Sequence, residues 1–376
     1  MLNDQEKQVL LWLASVDGVG EKTLRAVLAW RAKTAQNLLE VYQHSAWPVE
    51  LFATRQAWEN VSHLHSTGFS PENYQQKLHS LDLKPLFVWD DLYPTLLKET
   101  AVQPTIIYCR GKIELLAEKI PIAVVGTRQI TPYGRKATSY LVEELVALGA
   151  VIVSGFMYGV DVVAHQAALN CGGKTIAVLG FGHDQMYPAS QASLYQQMLQ
   201  QNALFISHFP PGVKARPGNF LQRNQIVAGL TRAVVVTEAG FPSGSFSTAQ
   251  AALNEGRTVC AVPGPFNSEF SQGTKWLINE GAVLVTAGDQ VLSEIGLSIK
   301  NSKNEHRNTG DLSKKIDQLT ELEKTVFETI LTQDGEMDQL ILQTQLSLPQ
   351  LTAILSELEL KGLIFRSGDY WQVGFN

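Results

Sequence analysis

Cysteine is scarce in this chain, and long apolar runs are missing from it. Among 376 residues there are three cysteines, which lie far apart and lack C-x-x-C spacing: Cys109, Cys171 and Cys260. This spacing predicts neither a disulfide framework nor a zinc site, and it suits a reducing compartment. No apolar stretch reaches the ~20 residues of a membrane-spanning helix, and the first residues lack a signal-peptide pattern. We therefore expect a cytoplasmic protein that binds no metal and no membrane.

An excess of positive charge is also lacking, since the net charge is −6. Its distribution is uneven. Residues 121–285 contain 10 Lys/Arg and 8 Asp/Glu, a balance of +2, whereas residues 311–376 contain 5 and 11, a balance of −6. If the protein binds a polyanion, we expect the middle of the chain to do so rather than its acidic end.

Residues 1–70 have the apolar spacing of helices and no alternating strand pattern. Gly18 and Gly20 interrupt this pattern, and we expect a tight turn there, with positive φ, before Lys22 begins a new helix. The arrangement resembles a helix-hairpin-helix, in which backbone amides can meet a DNA phosphate. A hairpin that only packs against the rest of the protein is the alternative, and Glu21 beside the glycines favours it.

The middle of the chain alternates strand-like and helix-like segments. The strand-like runs are apolar throughout, as in a parallel sheet covered on both faces; they are residues 122–126, 150–155, 175–180, 203–207, 233–239, 258–264 and 282–285. Amphipathic segments separate them. This alternation predicts an α/β fold with a doubly wound, mostly parallel sheet.

The last part of the chain has a different organisation. Residues 299–316 are polar and aperiodic, which is typical of a linker. Residues 317–376 contain three helix-like segments and a short hairpin expected to turn at Ser367, Gly368 and Asp369. Three helices followed by a two-stranded wing are the layout of a winged-helix domain.

The G-x-G-x-x-G pattern of dinucleotide-binding loops is absent after the first strand of the sheet. Gly126, Thr127 and Arg128 stand there instead, followed by Thr131 as an expected N-cap and Pro132 as the first helical residue. A helix start attracts anions, and an arginine can bind phosphate through two parallel hydrogen bonds. We predict a phosphate site without a cofactor here; a plain turn with a solvated arginine is the alternative.

The second strand leads into a glycine-containing loop and a helix. Gly155 and Gly159 allow the loop to bend, and Asp161 and His165 are spaced to share one helix face. Such a pair could serve as an acid and a base, but a structural hydrogen bond is the favoured interpretation because no serine or cysteine nucleophile accompanies it. We predict no catalytic residue.

Two later segments carry the remaining candidate contacts. One combines cations, amides and an aromatic ring, which suit phosphates and an unpaired base: Arg216, Asn219, Phe220, Arg223 and Asn224. Stacking of such a ring on a base contributes about 1–3 kcal/mol, although Phe220 could instead belong to the core. The other segment, Ser243-Gly244-Ser245, precedes a helix and predicts a second anion-binding loop.

Six stretches of the sequence together resemble the DprA/Smf family, the bacterial DNA-processing proteins of natural transformation. They are VVGTRQITPYG, VSGFMYGVDVVAH, GGKTIAVLG, RPGNFLQRNQIVAGL, EAGFPSGSFSTAQAALNEGRTVCAVPG and SQGTKWLINEGA. The resemblance covers about residues 80–290, with the motifs in the family's order. It implies an extended Rossmann-like domain over 71–298, between a helical, SAM-like domain and a winged helix.

The resemblance implies a non-catalytic protein that binds single-stranded DNA, protects it and helps to load RecA, working as a homodimer through the Rossmann-like domain. The family's DNA contacts map onto Gly126, Thr127 and Arg128, and onto Asn219, Phe220, Arg223 and Asn224. Lys174 also matches a DNA-binding position, although it precedes a strand instead of following one.

Three positions depart from the family pattern. Thr127 replaces a usual serine and keeps the hydroxyl, whereas Tyr158 and Gln225 stand where arginines are frequent. Each phosphate contact contributes about 0.7 to the slope of log affinity against log salt concentration, here called the logarithmic salt slope, for a single strand. Since two such contacts are missing, we expect weaker DNA binding than in a relative that carries both arginines.

Two other functions use the same fold. A phosphoribohydrolase-like enzyme would need a glutamate where Thr248 stands, and Glu238 is the nearby substitute. A sensor that binds one small nucleotide and signals through the winged helix could use the same two anion-binding loops.

Overall fold

The computed structural model describes residues 2–201, 203–297, 319–332, 335–367 and 370–373. The chain forms two compact units, Met1–Ile299 and Lys300–Asn376. The predicted linker at residues 299–316 lies outside the described residues. Within the described ranges no helix is both long and apolar enough to cross a membrane.

Five helices begin the first unit: α1 (Asp4–Ala14), α2 (Glu21–Thr34), α3 (Leu38–Gln43), α4 (Arg55–Ser66) and α5 (Pro71–Ser80). Asn3 starts α1 by accepting a hydrogen bond from the Glu6 amide. The predicted turn between α1 and α2 is present, but only Gly18 has positive φ, at +86°. Gly20 is extended, with φ of −122°. The apolar faces of these helices pack together and against the first two strands of the sheet.

A nine-stranded sheet forms the centre of the unit. Its strands are β1 (Lys84–Phe87), β2 (Ile106–Gly111), β3 (Pro121–Val125), β4 (Val151–Ser154), β5 (Lys174–Val178), β6 (Leu204–Ser207), β7 (Ala233–Val236), β8 (Thr258–Ala261) and β9 (Val283–Leu284). The order is β1-β2-β6-β5-β4-β3-β7-β8-β9. All seven predicted strands are present and parallel to one another, whereas β1 and β2 were not predicted and pair antiparallel.

Helices cover both faces of this sheet: α6 (Thr95–Lys98), α7 (Pro132–Ala147), α8 (Val160–Asn170), α9 (Ala192–Gln200), α10 (Pro217–Gly229), α11 (Ser245–Asn254), α12 (Gln272–Asn279) and α13 (Gly288–Glu294). Two apolar cores, one on each face, bury most side chains of the central strands. The α/β prediction is therefore confirmed. Because β3 pairs with both β4 and β7, the strand order reverses at β3, and a ligand crevice is expected beyond the carboxyl ends there.

The second unit contains α14 (Glu321–Thr332), α15 (Met337–Thr344) and α16 (Leu348–Leu360), with β10 (Gly335–Glu336), β11 (Ile364–Ser367) and β12 (Tyr370–Val373). The three strands pair in the order β10-β12-β11. Leucines from α15 and α16, together with Val326 and Phe327 of α14, form its core. The predicted three helices and wing are confirmed; two residues of the predicted turn, 368 and 369, lie outside the described residues.

Candidate nucleic-acid interface

A crevice of about 430 Å³ opens beyond the carboxyl ends of β3, β4 and β7. It lies where the strand order reverses, as the fold predicts. Nine of the thirteen residues proposed from the sequence line it: Gly126, Thr127, Arg128, Gly155, Arg223, Asn224, Ser243, Gly244 and Ser245. Separate stretches of the chain therefore converge on one site, which we call the crevice.

The loop after β3 is held by close backbone contacts. The Thr127 amide donates to the Glu238 carbonyl at 2.7 Å, and the Thr127 carbonyl accepts from the Val160 amide at 3.1 Å. A Cβ on Gly126 would lie 2.5 Å from the Glu238 carbonyl oxygen, so only glycine fits there. These contacts orient the loop, and Arg128 at its end is exposed to solvent at the crevice.

The start of α7 differs from the expectation that it would attract an external anion. Thr131 caps the helix as predicted, accepting from the Gly134 amide at 3.0 Å, and Pro132 is the first helical residue. However, the buried Glu238 carboxylate accepts from the Thr131 amide at 2.8 Å and also binds its hydroxyl. The helix start therefore already holds an anion from the protein itself, and the cation at this loop is Arg128.

The second predicted anion-binding loop faces the first one because β7 is the neighbour of β3. The hydroxyls of Ser243 and Ser245 lie 2.8 Å apart. At the start of α11 the Ser245 amide donates to the Ser243 hydroxyl at 3.3 Å, and a Cβ on Gly244 would meet open space. Asn224 contacts this loop from α10 by donating to the Ser247 hydroxyl at 2.7 Å. Two serine hydroxyls beside open space at a helix start are suited to a phosphate.

Arg223 lies on the floor of the crevice and not on a solvated helix face. It is 4% exposed, and its guanidinium donates to the Gly155 carbonyl and, at 3.1 Å, to the Val178 carbonyl. A solvent-facing placement of Arg223 is therefore excluded, and its contact with DNA stays a prediction. Its charge faces Asp161, whose carboxyl pKa is raised by burial, while Arg223 opposes that rise.

Phe220 combines the two roles that the sequence left open. It is half-buried and packs against an apolar core cluster, and its ring centre lies 5.8 Å from that of Tyr187. The guanidinium carbons of Arg128 and Arg223 lie 5.6 Å and 5.8 Å from the ring centre. These cation–π contacts tie Phe220 to the arginine at the crevice and to the one on its floor.

The structure does not bring the other predicted residues into the lining of the crevice. Lys174 begins β5, at the opposite end from the crevice, and its amino group lies 2.6 Å from the Glu118 carboxylate. Arg216 is exposed and precedes α10 as its N-cap. The side-chain amide of Asn219 donates to the Lys214 carbonyl at 3.1 Å. The strand-end argument, which disfavoured Lys174, agrees with this placement.

Asp161 and His165 make separate hydrogen bonds, so the predicted bond between them is wrong. The Asp161 carboxylate accepts from the Met157 amide at 3.1 Å, whereas His165 Nδ1 lies 2.7 Å from the Thr175 hydroxyl. Burial lowers the pKa of His165 to about 3. A fully buried, neutral imidazole that is bonded to a threonine serves packing rather than proton transfer.

Several crevice residues were not proposed from the sequence, among them Gln129, Met157, Pro242 and Thr248. Gln129, Met157 and Pro242 follow a predicted strand end by two or three residues, which is the signal that could have identified them; Thr248 lies within α11. Tyr158, noted only as a departure, also lines the crevice. In the part of the chain that the structure describes, no cluster of His, Cys, Asp or Glu could hold a metal ion.

Known proteins resemble this chain over both units. The model of the DNA recombination-mediator protein A family matches residues 84–296, and that of the DprA winged helix domain matches residues 313–369. Protein Smf of Escherichia coli is 39% identical over 205 residues, which are 54% of this chain and 54% of that protein. The matched segment thus spans about half the length of this relative.

Solved structures agree with this assignment. DNA processing protein A from Streptococcus pneumoniae has a TM-score of 0.65 at 32% identity, over 78% of this chain and 99% of its own. DNA processing protein A from Helicobacter pylori, whose structure concerns its single-stranded DNA binding mode, has a TM-score of 0.50 at 31% identity, over 57% of this chain and 94% of its own. The chain therefore belongs to the DNA recombination-mediator protein A family.

Proposed function

We propose that the protein binds single-stranded DNA in the crevice and breaks no bond of it. The observation that carries this proposal is the exposed Arg128 guanidinium on the loop after β3, which lines one crevice with the loop after the neighbouring strand β7. An arginine and a helix start with two serine hydroxyls facing one crevice suit successive phosphates of a strand. The Helicobacter pylori relative, which has a described single-stranded DNA binding mode, supports the choice of ligand.

The crevice favours a polymer over a single nucleotide. In a dinucleotide-binding loop the pyrophosphate approaches the start of the first helix closely. Here the Glu238 carboxylate already occupies the corresponding position at Thr131, so a phosphate would be repelled from the helix start and would be met by Arg128 instead. The half-buried Phe220 beside Arg128 adds an aromatic edge, which a strand of bases can use.

Hydrolysis of a nucleotide lacks a suitable acid at the expected position. Thr248, which stands in place of the glutamate of phosphoribohydrolase-like enzymes, is buried at the crevice. Glu238, the nearby substitute, has its carboxylate bound to Thr131. Neither residue can readily protonate a departing base, which supports a binding function.

We also propose that two copies associate through the Rossmann-like domain and that the complex helps to load RecA in the cytoplasm. The apolar helices near residues 246–280 are candidates for the dimer face. In the described residues, Leu253 and Trp276 are exposed there, and Leu284 is 51% exposed on β9. β9 ends the sheet, and an exposed apolar edge strand is a surface that proteins usually cover. RecA as partner rests on the family resemblance alone.

The proposal is tested by comparing single-stranded and duplex oligonucleotides in a fluorescence anisotropy titration. We expect the wild-type protein to prefer the single strand and to release no base from nucleoside monophosphates. Arg128→Ala should weaken binding to all sequences alike and lower the logarithmic salt slope by about 0.7. Lys98→Ala, which removes an exposed cation that does not line the crevice, is the matched control. Equal affinity for duplex and single strand would reject the proposal.

A further inference from the structure

A second cleft, of about 690 Å³, shares no lining residue with the crevice. It is lined by the α1–α2 turn, by Lys77 of α5 and by the loop after β6, which includes Lys214. Helix α10 contributes to both sites. Arg223 and Asn224 line the crevice, while Arg216 and Gln222 line the second site. We call this second site the hairpin cleft.

The charges of the hairpin cleft favour an anionic ligand. Lys77, Lys214 and Arg216 supply three cations against the carboxylates of Asp17 and Glu21. The Glu21 carboxylate accepts from the Thr105 amide at 2.9 Å and pairs with Arg25 at 2.8 Å, so its charge is already compensated. Among the described residues, neither lysine forms an ion pair. Two cations without protein partners therefore face a cleft that is open to solvent.

The backbone and the wall of the cleft add polar groups. Helix α2, fourteen residues long, begins at Gly20 without a side-chain cap, and a Cβ on Gly20 would meet open space. Tyr108 is 1% exposed and lines the cleft, but its hydroxyl interacts with that of Tyr74. The uncapped start of α2 is the group here that a phosphate can bind.

The two sites are connected along the edge of the sheet. A Cβ on Gly180, just beyond the end of β5, would lie 2.8 Å from the Phe220 ring, so Phe220 covers that strand end. β5 lies between β4 of the crevice and β6 of the hairpin cleft. From β3 to β6 the distance is three strand spacings, about 14 Å. A strand of a few nucleotides can cross it.

We propose that the hairpin cleft is a second subsite for the same single strand of DNA, whose sugar–phosphate backbone leaves the crevice over Phe220 and is bound by Lys77, Lys214 and the α1–α2 turn. This inference rests on the proposed function of the crevice. It gives the amino-terminal hairpin a binding role, in place of the purely structural one that the sequence favoured.

The test measures affinity against strand length, with oligothymidylates of about 4 to 16 nucleotides. For the wild-type protein we expect affinity to rise once the strand is long enough to reach the hairpin cleft. The double variant Lys77→Ala/Lys214→Ala should bind the shortest bound oligomer as the wild type does but lose this rise. On long strands its logarithmic salt slope should fall by about 1.4, for two lost contacts.

Lys98→Ala is the matched control, since this exposed lysine of the same unit lines neither site; it should change neither the length dependence nor the slope. Thermal melting of each variant checks that the fold is intact, and Lys214→Glu, at an exposed position, provides a second test in which the loss on long strands should be larger. A double variant that matches the wild type at every length overturns the hairpin cleft and leaves the crevice standing. Failure of every oligomer to bind the wild-type protein overturns both.

Discussion

At Gly155 the backbone passes so close to Arg223 that no side chain fits between them. A Cβ there would lie 1.7 Å from one guanidinium nitrogen. That guanidinium donates to two backbone carbonyls, those of Gly155 and Val178. Burial lowers the pKa of Arg223, and the neighbouring Asp161 opposes that change. The lack of a side chain at Gly155 therefore allows the charged Arg223 guanidinium to be buried against these two backbone carbonyls.

We expect Gly155→Ala to displace this guanidinium and to lower the free energy of unfolding by about 1–3 kcal/mol or more, because a buried charged donor would lose its acceptors. Chemical denaturation monitored by circular dichroism measures the change. Gly218→Ala in the first turn of α10 is the control, since a Cβ there meets nothing within 4 Å and alanine favours a helix. Equal destabilisation by the two substitutions would contradict the role assigned to Gly155.

Tyr158 is the second residue whose identity matters at the crevice. It is 45% exposed and lines the crevice, whereas Gln225, the other position where an arginine was expected, is exposed on α10 outside the lining. Both substitutions had been expected to matter, but the structure gives only Tyr158 a place beside the phosphate-binding loops.

We predict that Tyr158→Arg tightens binding to single-stranded DNA and steepens the logarithmic salt slope by about 0.7, because it adds one phosphate contact. Gln225→Arg serves as the comparison and should have a smaller effect. Titrations at several salt concentrations provide the affinity and the logarithmic salt slope of each variant. An unchanged slope for Tyr158→Arg would mean that the strand does not pass this side of the crevice.

At the scale of elements, the ends of the sheet determine what the surface can do. β1 ends one edge and is covered by the amino-terminal helices, whose core includes Phe87. β9 ends the other edge with only two paired residues, Val283 and Leu284. So short an edge strand limits unwanted strand pairing with other proteins. The exposed apolar side chain of Leu284 could instead be buried against a second copy of the protein.

If the proposed dimer buries Leu284, Leu284→Glu is expected to convert it to a monomer, because a carboxylate buried at an apolar interface without a partner is strongly unfavourable. Sedimentation velocity at several protein concentrations measures the association state. Val49→Glu, at an equally exposed position between α3 and α4, should leave the association state unchanged. If Leu284→Glu remains a dimer, the interface lies elsewhere on the domain.

At the scale of the whole molecule, the two units differ in charge and in the ligands they suit. The third helix of the winged helix, α16, presents Glu357 and Glu359 on its exposed face. Lys361, which follows it, binds the buried Glu323 carboxylate, and this contact helps to hold the pKa of Glu323 at about 2. A helix with this charge repels phosphate, so we propose that the winged helix binds protein rather than DNA.

Deletion of residues 317–376 should therefore leave the affinity for single-stranded DNA nearly unchanged. The same anisotropy titration, performed on the truncated and the full chain, measures it. The crevice and the hairpin cleft are both lined by residues of the first unit, so the truncated chain retains every contact proposed above. A large loss of affinity would instead assign a DNA contact to the second unit.

Much of this architecture was determined by the sequence itself. Fully apolar strands separated by amphipathic helices admit few arrangements other than a covered parallel sheet. The positions just after β3 and β7 could be predicted as one site because the carboxyl ends of parallel strands share an edge. The cap at Thr131 and the proline after it are local features, which a few neighbouring residues decide.

The tertiary structure alone decided which charged side chains are buried and what they meet. Arg223 and Arg128 look alike in the sequence, yet one is bonded to the Gly155 carbonyl beneath the crevice and the other is exposed. Glu238 could have been a catalytic acid, but the chain brings Thr131 to its carboxylate from 107 residues away. Burial and pairing of charge depend on contacts between distant segments, and a local pattern of residue types does not carry that information.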